Sequence, residues 1–169
     1  MSLYIRSASL TSTSFRIVRD KSDIPALITL AREAHEESRF SYIPFSANKV
    51  RQIVEMAIND TKRHGLFIAE QNRQTVGSAY CSIGEYHIGE GKLIATIQNI
   101  NVSQSVRNSL AGGRAAIGLF NGVQSWAKAR GACELLLHVT SGIDLARTHK
   151  LAKHLGYNTI GASYAKSLG

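Results

Sequence analysis

The stretch from Gln98 to Gly131 constrains this chain most: a strand, a polar turn with paired glycines and a long amphipathic helix follow one another without a break. Apolar side chains alternate from about Leu93 to Val102, the period of a half-buried strand. From Ala116 they recur at Leu119, Phe120, Val123, Trp126 and Ala127, which is helical spacing, and Gly131 is the expected stop. Between the two, Ala111, Gly112 and Gly113 carry little or no side chain. Backbone N–H groups at the helix start are thereby open to close approach by an anion such as pyrophosphate, and the helix dipole favours one there. Arg107 and Arg114 add formal charge on either side.

The overall charge agrees with an anionic ligand. Residues 1–90 carry 11 Lys/Arg and 10 Asp/Glu, a balance of +1, whereas residues 91–169 carry 9 Lys/Arg and 2 acids, a balance of +7. The anion-friendly turn lies in the basic half. Such an excess attracts a polyphosphate, a nucleic acid or an acidic protein, and also serves solubility alone. Nucleic acid is the less favoured partner, because interleaved exposed aromatics and a reader helix are missing. A chain of 169 residues is expected to form one domain, here 15–169 after a loose N-terminal extension, 1–14. No apolar run has the length of a membrane span and no signal-peptide core is evident, so a cytoplasmic location is expected. Cys81 and Cys133 lack metal-ligand spacing and read as free core thiols; no metal site is expected.

In chain order, Phe15 to Val18 reads as a strand. A helix capped by Ser22 follows, with Ile24, Leu27, Ile28, Ala31, Ala34 and His35 on its apolar face. A second helix is capped by Ser46, with Lys62, Arg63 and His64 expected in its last turn and Gly65 as its end. Strands follow at Leu66 to Glu70, Val76 to Ile83 and Leu93 to Val102, with a hairpin loop at Gly84 to Gly91. After the long helix, Glu134 to Val139 reads as a strand buried on both faces. Then come a helix from Ile143 to Leu155, capped by Ser141, and a last strand or short hairpin within Tyr157 to Leu168, whose exposed strand is free to pair across a homodimer. The expected fold is a mixed, mostly antiparallel central sheet with helices on both faces.

That order of elements resembles the GNAT superfamily of N-acetyltransferases, the acyl-CoA N-acyltransferase fold, from Phe15 onward. The family's diagnostic piece is a strand, then Arg/Gln-x-x-Gly-x-Gly/Ala, then a helix. Asn108-Ser109-Leu110-Ala111-Gly112-Gly113-Arg114-Ala115 resembles its second half, with Ala111 in place of the first glycine and Asn108 where Arg or Gln is usual. Leu155-Gly156-Tyr157 resembles the family's closing Gly-aromatic pair. The resemblance implies that acetyl-CoA is the co-substrate, held by Arg107 and by residues 108–115, with Ile100, Asn101 and Val102 offering backbone groups to its acetyl and pantetheine arm. It also implies direct attack on the thioester by a primary amine, borne by a small molecule or a protein.

Many members carry a general-acid tyrosine where this chain has Ala152, and an asparagine where it has Asp144-Leu145. Substitutes for acid and base are Tyr164, His138 and Glu85, each of which also has an ordinary structural reading. Tyr42 and Phe45 fall where relatives wall the acceptor pocket, and core packing explains them as well. A catalytically silent protein of this fold, binding acetyl-CoA or a macromolecular partner, is the alternative.

Overall fold

The structure, a computed structural model, describes residues 12–167. The elements are β1 (Thr13–Ile17), α1 (Ile24–Glu37), α2 (Ala47–Asn59), β2 (His64–Gln71), β3 (Gln74–Glu85), β4 (Leu93–Val102), α3 (Gln104–Arg107), α4 (Leu110–Ala129), β5 (Ala132–Leu137) and α5 (Leu145–His154). The strands form one sheet in the order β1-β2-β3-β4-β5. The first four are antiparallel, and β5 joins β4 in parallel after the α4 crossover. This is the mixed, mostly antiparallel sheet that the pattern predicts.

One face of the sheet packs on α4 through Ala79, Cys81, Ile83, Ala95, Ile97, Leu119, Phe120, Val123 and Trp126. The other packs on α1 and α2 through Leu27, Val54, Ala57, Leu66, Ile68 and Tyr80. Period-two alternation in the strands feeds both cores at once.

Several boundaries differ from the expected ones, each for a local reason. Asp20, not Ser22, opens the first helical segment: its carboxylate accepts from the Ser22 N–H at 2.8 Å and caps a single 3-10 turn, Lys21–Asp23. Asp23 precedes α1 without capping it, because its carboxylate is held by Arg16 at 2.6 and 2.8 Å. Helix α2 stops at Asn59, where Asp60 folds the chain by accepting from the Arg63 N–H at 3.1 Å. His64 and Gly65 therefore begin β2. A Cβ at Gly65 would lie 2.9–3.1 Å from Phe67, Trp126 and Cys81, so its lack of side chain serves packing rather than helix termination. Asp144, with its carboxylate accepting from the Arg147 N–H at 3.3 Å, caps α5 in place of Ser141.

The C-terminal region departs most from expectation. Strand β5 is half-buried, not enclosed on both faces, because it forms the edge of the sheet. Residues 157–167 form no strand, and Ile160 and Tyr164 are 76% and 94% exposed. Residue 168 lies outside the described residues, as does most of the 1–14 extension, whose Thr13 and Ser14 belong to β1.

The cysteines also separate. Cys81 is fully buried and free; Cys133 is free but exposed on β5, so it is not a core thiol. Burial pushes the Cys81 thiol up to about 12, which suppresses the reactive thiolate. Titration with a thiol reagent at pH 8 should therefore modify one cysteine in the native protein and two after denaturation.

Candidate functional site

The site begins where β4 and β5 part. Their pairing runs from Leu93 with Ala132 to Ile97 with Leu137, and a 3.5 Å bond from the His138 N–H to the Ile97 carbonyl closes it. Beyond that point β4 continues to Val102 with β3 as its only strand neighbour among the described residues, while residues 138–141 turn away. A cleft of about 180 Å³ fills the opening, walled by Gln98–Val102 on one side and Leu137–Ser141 on the other. Ala116 and Phe120 of α4 form its floor, and Arg107, Arg147 and Thr148 stand at its rim.

A bulge shapes the β4 wall. Tyr80 of β3 faces Asn99 and Cys81 faces Ile97, so Gln98 has no partner across the strand; its amide donates to Ser82 Oγ at 3.0 Å. Ala95 and Ile97 before the bulge, and Ile100 and Val102 after it, all join the α4 core. The extra residue thus shifts the alternation by one and re-aims the strand at the cleft.

Helix α4 then presents its first turn. It starts at Leu110, not near Ala116, because Ser109 Oγ accepts from the Gly112 N–H at 3.2 Å and caps it. Residues 110–115 are therefore helical, preceded by the single turn of α3. The two glycines have different duties. Gly112 is buried, and a Cβ there would lie 2.2 Å from the Val106 carbonyl oxygen; a Cβ at Gly113 would meet nothing within 4 Å. Gly113 lies three and seven positions before Ala116 and Phe120, which places it on the cleft side of the helix.

Of the other residues singled out from sequence, Ile100, Asn101 and Val102 line the cleft as expected. Arg107 reaches it too, but its guanidinium is already engaged: Nη1 and Nη2 donate to the Glu37 carboxylate at 2.5 and 3.0 Å, and Nε donates to the Val102 carbonyl at 2.9 Å. Asn108 ends α3 and accepts from Arg147 at 2.7 Å. Leu110 and Arg114 are exposed, Ala111 is half-buried, and Ala115 is wholly buried in the core, away from the cleft. His138 is exposed on the β5 lip of the cleft. Glu85 is elsewhere, in the β3–β4 hairpin at the other end of β4, where it accepts from the Gly91 N–H at 2.8 Å. Tyr164 belongs to the exposed tail and is not part of the cleft wall. Tyr42 is 79% exposed, and Phe45 sits half-buried beneath the Arg32 guanidinium at 4.4 Å. Tyr157 packs edge-on to Phe120 with ring centres 5.8 Å apart, and burial raises its phenol to about 12.

No family model and no curated protein matches the chain. Solved structures do. The aminoglycoside N-acetyltransferase AAC(6')-Iy in complex with CoA superposes with a TM-score of 0.71 at 16% identity, covering 94% of this chain and 97% of that one. An acetyltransferase of Trypanosoma brucei gives 0.67 at 16% identity over 93% and 100% of the two chains. The ribosomal-protein-alanine N-acetyltransferase of Brucella melitensis gives 0.68 at 13% identity over 94% and 100%. The chain has the acyl-CoA N-acyltransferase fold. Within that fold, β4 and β5 part to open the cleft, and α4, which starts at Leu110, sends Ala116 and Phe120 into it.

Reading from sequence missed Gln98 and Asn99 on the cleft wall, and Glu33 and Glu37 behind it. The two acids stand four apart in α1 and belong to no motif in the sequence. Yet Glu37 is 20% exposed at its side chain, as is Arg107. The guanidinium holds the Glu37 carboxyl below its usual range. A carboxyl with a lowered folded-state pKa contributes stability above its unfolded value, and that contribution disappears as the pH falls through the folded one.

Proposed function

We propose that this chain is an N-acetyltransferase that binds acetyl-CoA in the β4–β5 cleft and passes the acetyl group to a primary amine by direct attack. The observation that carries the reading is the parting of a parallel strand pair directly beside an open helix N-terminus. Two halves of one extended ligand fit there. The backbone of Gln98–Val102 can pair with an amide-bearing arm as a strand would. At the start of α4 the Gly112 and Gly113 N–H groups already donate to Ser109, so the N–H groups of Leu110 and Ala111, with the helix dipole behind them, are the ones that suit a pyrophosphate.

When bound, acetyl-CoA supplies an activated thioester carbonyl. The chain's part is to hold that carbonyl against a backbone N–H beside the Gln98 bulge, which stabilises negative charge developing on its oxygen. His138 is the one of the three acid–base candidates on the cleft wall, and its imidazole can take the amine's proton directly or through water. Tyr164 and Glu85 do not stand at the cleft, and Ala152 offers no hydroxyl to the departing thiolate.

Calorimetric titration with acetyl-CoA tests binding, and single-turnover acetylation of a panel of amines tests transfer. Saturable binding with product formation supports the reading; no binding at millimolar acetyl-CoA sinks it. His138→Ala should leave acetyl-CoA affinity within about threefold and slow the transfer step by roughly a hundredfold, the low end for general-base loss. An unchanged single-turnover rate would remove His138 from the chemistry.

A further inference from the structure

The C-terminal end of α1 reaches across the sheet and braces both lips of the cleft. Glu33 accepts from Ser103 Oγ at 3.2 Å and from the Gln104 N–H. Glu37 takes the Arg107 guanidinium in a two-point grip, and Arg107 in turn holds the Val102 carbonyl. All of these partners belong to the β4–α3 turn. Two residues beyond α1, the Arg39 N–H donates to the Ser141 carbonyl on the opposite lip at 2.8 Å. From the far side, Arg147 of α5 donates to the Arg107 carbonyl at 3.2 Å and to Asn108.

What the brace holds matters for the ligand. Arg107 and Val106 belong to the single turn of α3, and the Val106 carbonyl occupies the space left by the missing side chain of Gly112. Any displacement of α3 is therefore passed to the first turn of α4, since packed backbone has no slack to absorb it. The helix end that faces the anion is set by a carboxylate some seventy residues earlier in the chain.

We infer that Glu37 is a positioning residue: acting through Arg107, it fixes the β4–α3 turn and so the first turn of α4 against the pyrophosphate half of the ligand. Arg107 is then mainly a pin, and not a charge free to be spent on phosphate. The inference rests on the acetyl-CoA reading above. It assigns a role to an acidic side chain near an anion site, where simple electrostatics would make it a hindrance. The bidentate fork needs a planar guanidinium, so lysine cannot replace arginine in it.

The test compares acetyl-CoA with S-acetylpantetheine, which keeps the thioester and arm but lacks the pyrophosphate, by calorimetry and ligand-observed NMR. Glu37→Gln should weaken acetyl-CoA binding about tenfold, roughly 1.4 kcal/mol, and leave S-acetylpantetheine within about twofold. Glu37→Asp, which restores the carboxylate, should recover most of the loss. Arg107→Lys should behave like Glu37→Gln, and the double variant should be no worse than either single one, because both break the same link. Equal weakening of both ligands would reduce Glu37 to general support of the fold and overturn the inference. Unchanged or tighter acetyl-CoA binding in Glu37→Gln would overturn it too, leaving the carboxylate as mere repulsion. Additive losses in the double variant would do the same. If the native protein binds neither ligand, the acetyl-CoA reading fails first and takes this inference with it; native binding with the wrong variant pattern defeats this inference alone.

Discussion

Gly112→Ala should lower the melting temperature by roughly 4–8 °C, while the same change one residue later should lower it not at all. Alanine is the better helix former by about 1 kcal/mol at an interior position, so propensity alone predicts stabilisation at both sites. At Gly112 sterics decide otherwise. The new methyl carbon would lie 2.2 Å from the Val106 carbonyl oxygen and 2.8 Å from Arg107 Cα. Both are backbone atoms, so no rotamer change relieves the clash, and α3 must move by about an ångström. Overpacking of this kind costs about 1–3 kcal/mol where side chains can adjust, and the backbone clash puts it at the upper end. After the propensity gain, a net loss of about 2 kcal/mol remains, and each kcal/mol is worth about 2–4 °C in a chain of this size. At Gly113 the added methyl meets nothing within 4 Å, so only the propensity gain is left. Thermal denaturation of the two alanine variants side by side checks the claim, and equal midpoints would contradict it.

The pair also shows what was legible in the sequence. A strand, a turn with adjacent glycines and a long amphipathic helix could be read from local spacing alone, and so could the sheet they imply. Which glycine serves packing and which leaves space could not, because the difference lies in α3, a single turn held from outside. The bulge had a trace in the sequence: Ile97 and Ile100 are three apart where strict alternation wants two. The Glu37–Arg107 pair had none, since its partners are seventy residues apart and each looks ordinary where it stands.

The misplaced helix ends share one cause. Side-chain hydrogen bonds to Asp20, Asp60, Ser109 and Asp144 fix the boundaries, and at the first and last helices Ser22 and Ser141 were equally eligible by residue type. The tail failed for a different reason. An alternating pattern shows what a segment can pair with, not that an edge is offered at the right place, and residues 157–167 form no strand beside the β5 edge.

Gly113→Trp should abolish measurable acetyl-CoA binding, a loss of at least a hundredfold, with the fold intact. The position tolerates a side chain sterically, because it opens onto free space. That space is the face of α4 three residues before Ala116, whose own side is on the cleft floor. An indole there would cover the first-turn N–H groups and keep a phosphate from reaching hydrogen-bond distance. It would also replace helix-dipole stabilisation of an anion with an apolar surface. Gly113→Ala is the control, since its methyl group is too small to screen the helix end, and its affinity should stay within a few-fold of the native value. The contrast with Gly112 sharpens the result. Gly112→Ala acts on stability first, and on binding through displacement of the helix start; Gly113→Trp acts on binding with stability nearly unchanged. Calorimetric titration with acetyl-CoA, run beside a melting curve for each variant, separates the two. If Gly113→Trp bound acetyl-CoA as the native protein does, the ligand's charged end would have to lie away from α4, and the cleft would lose its claim to the pyrophosphate.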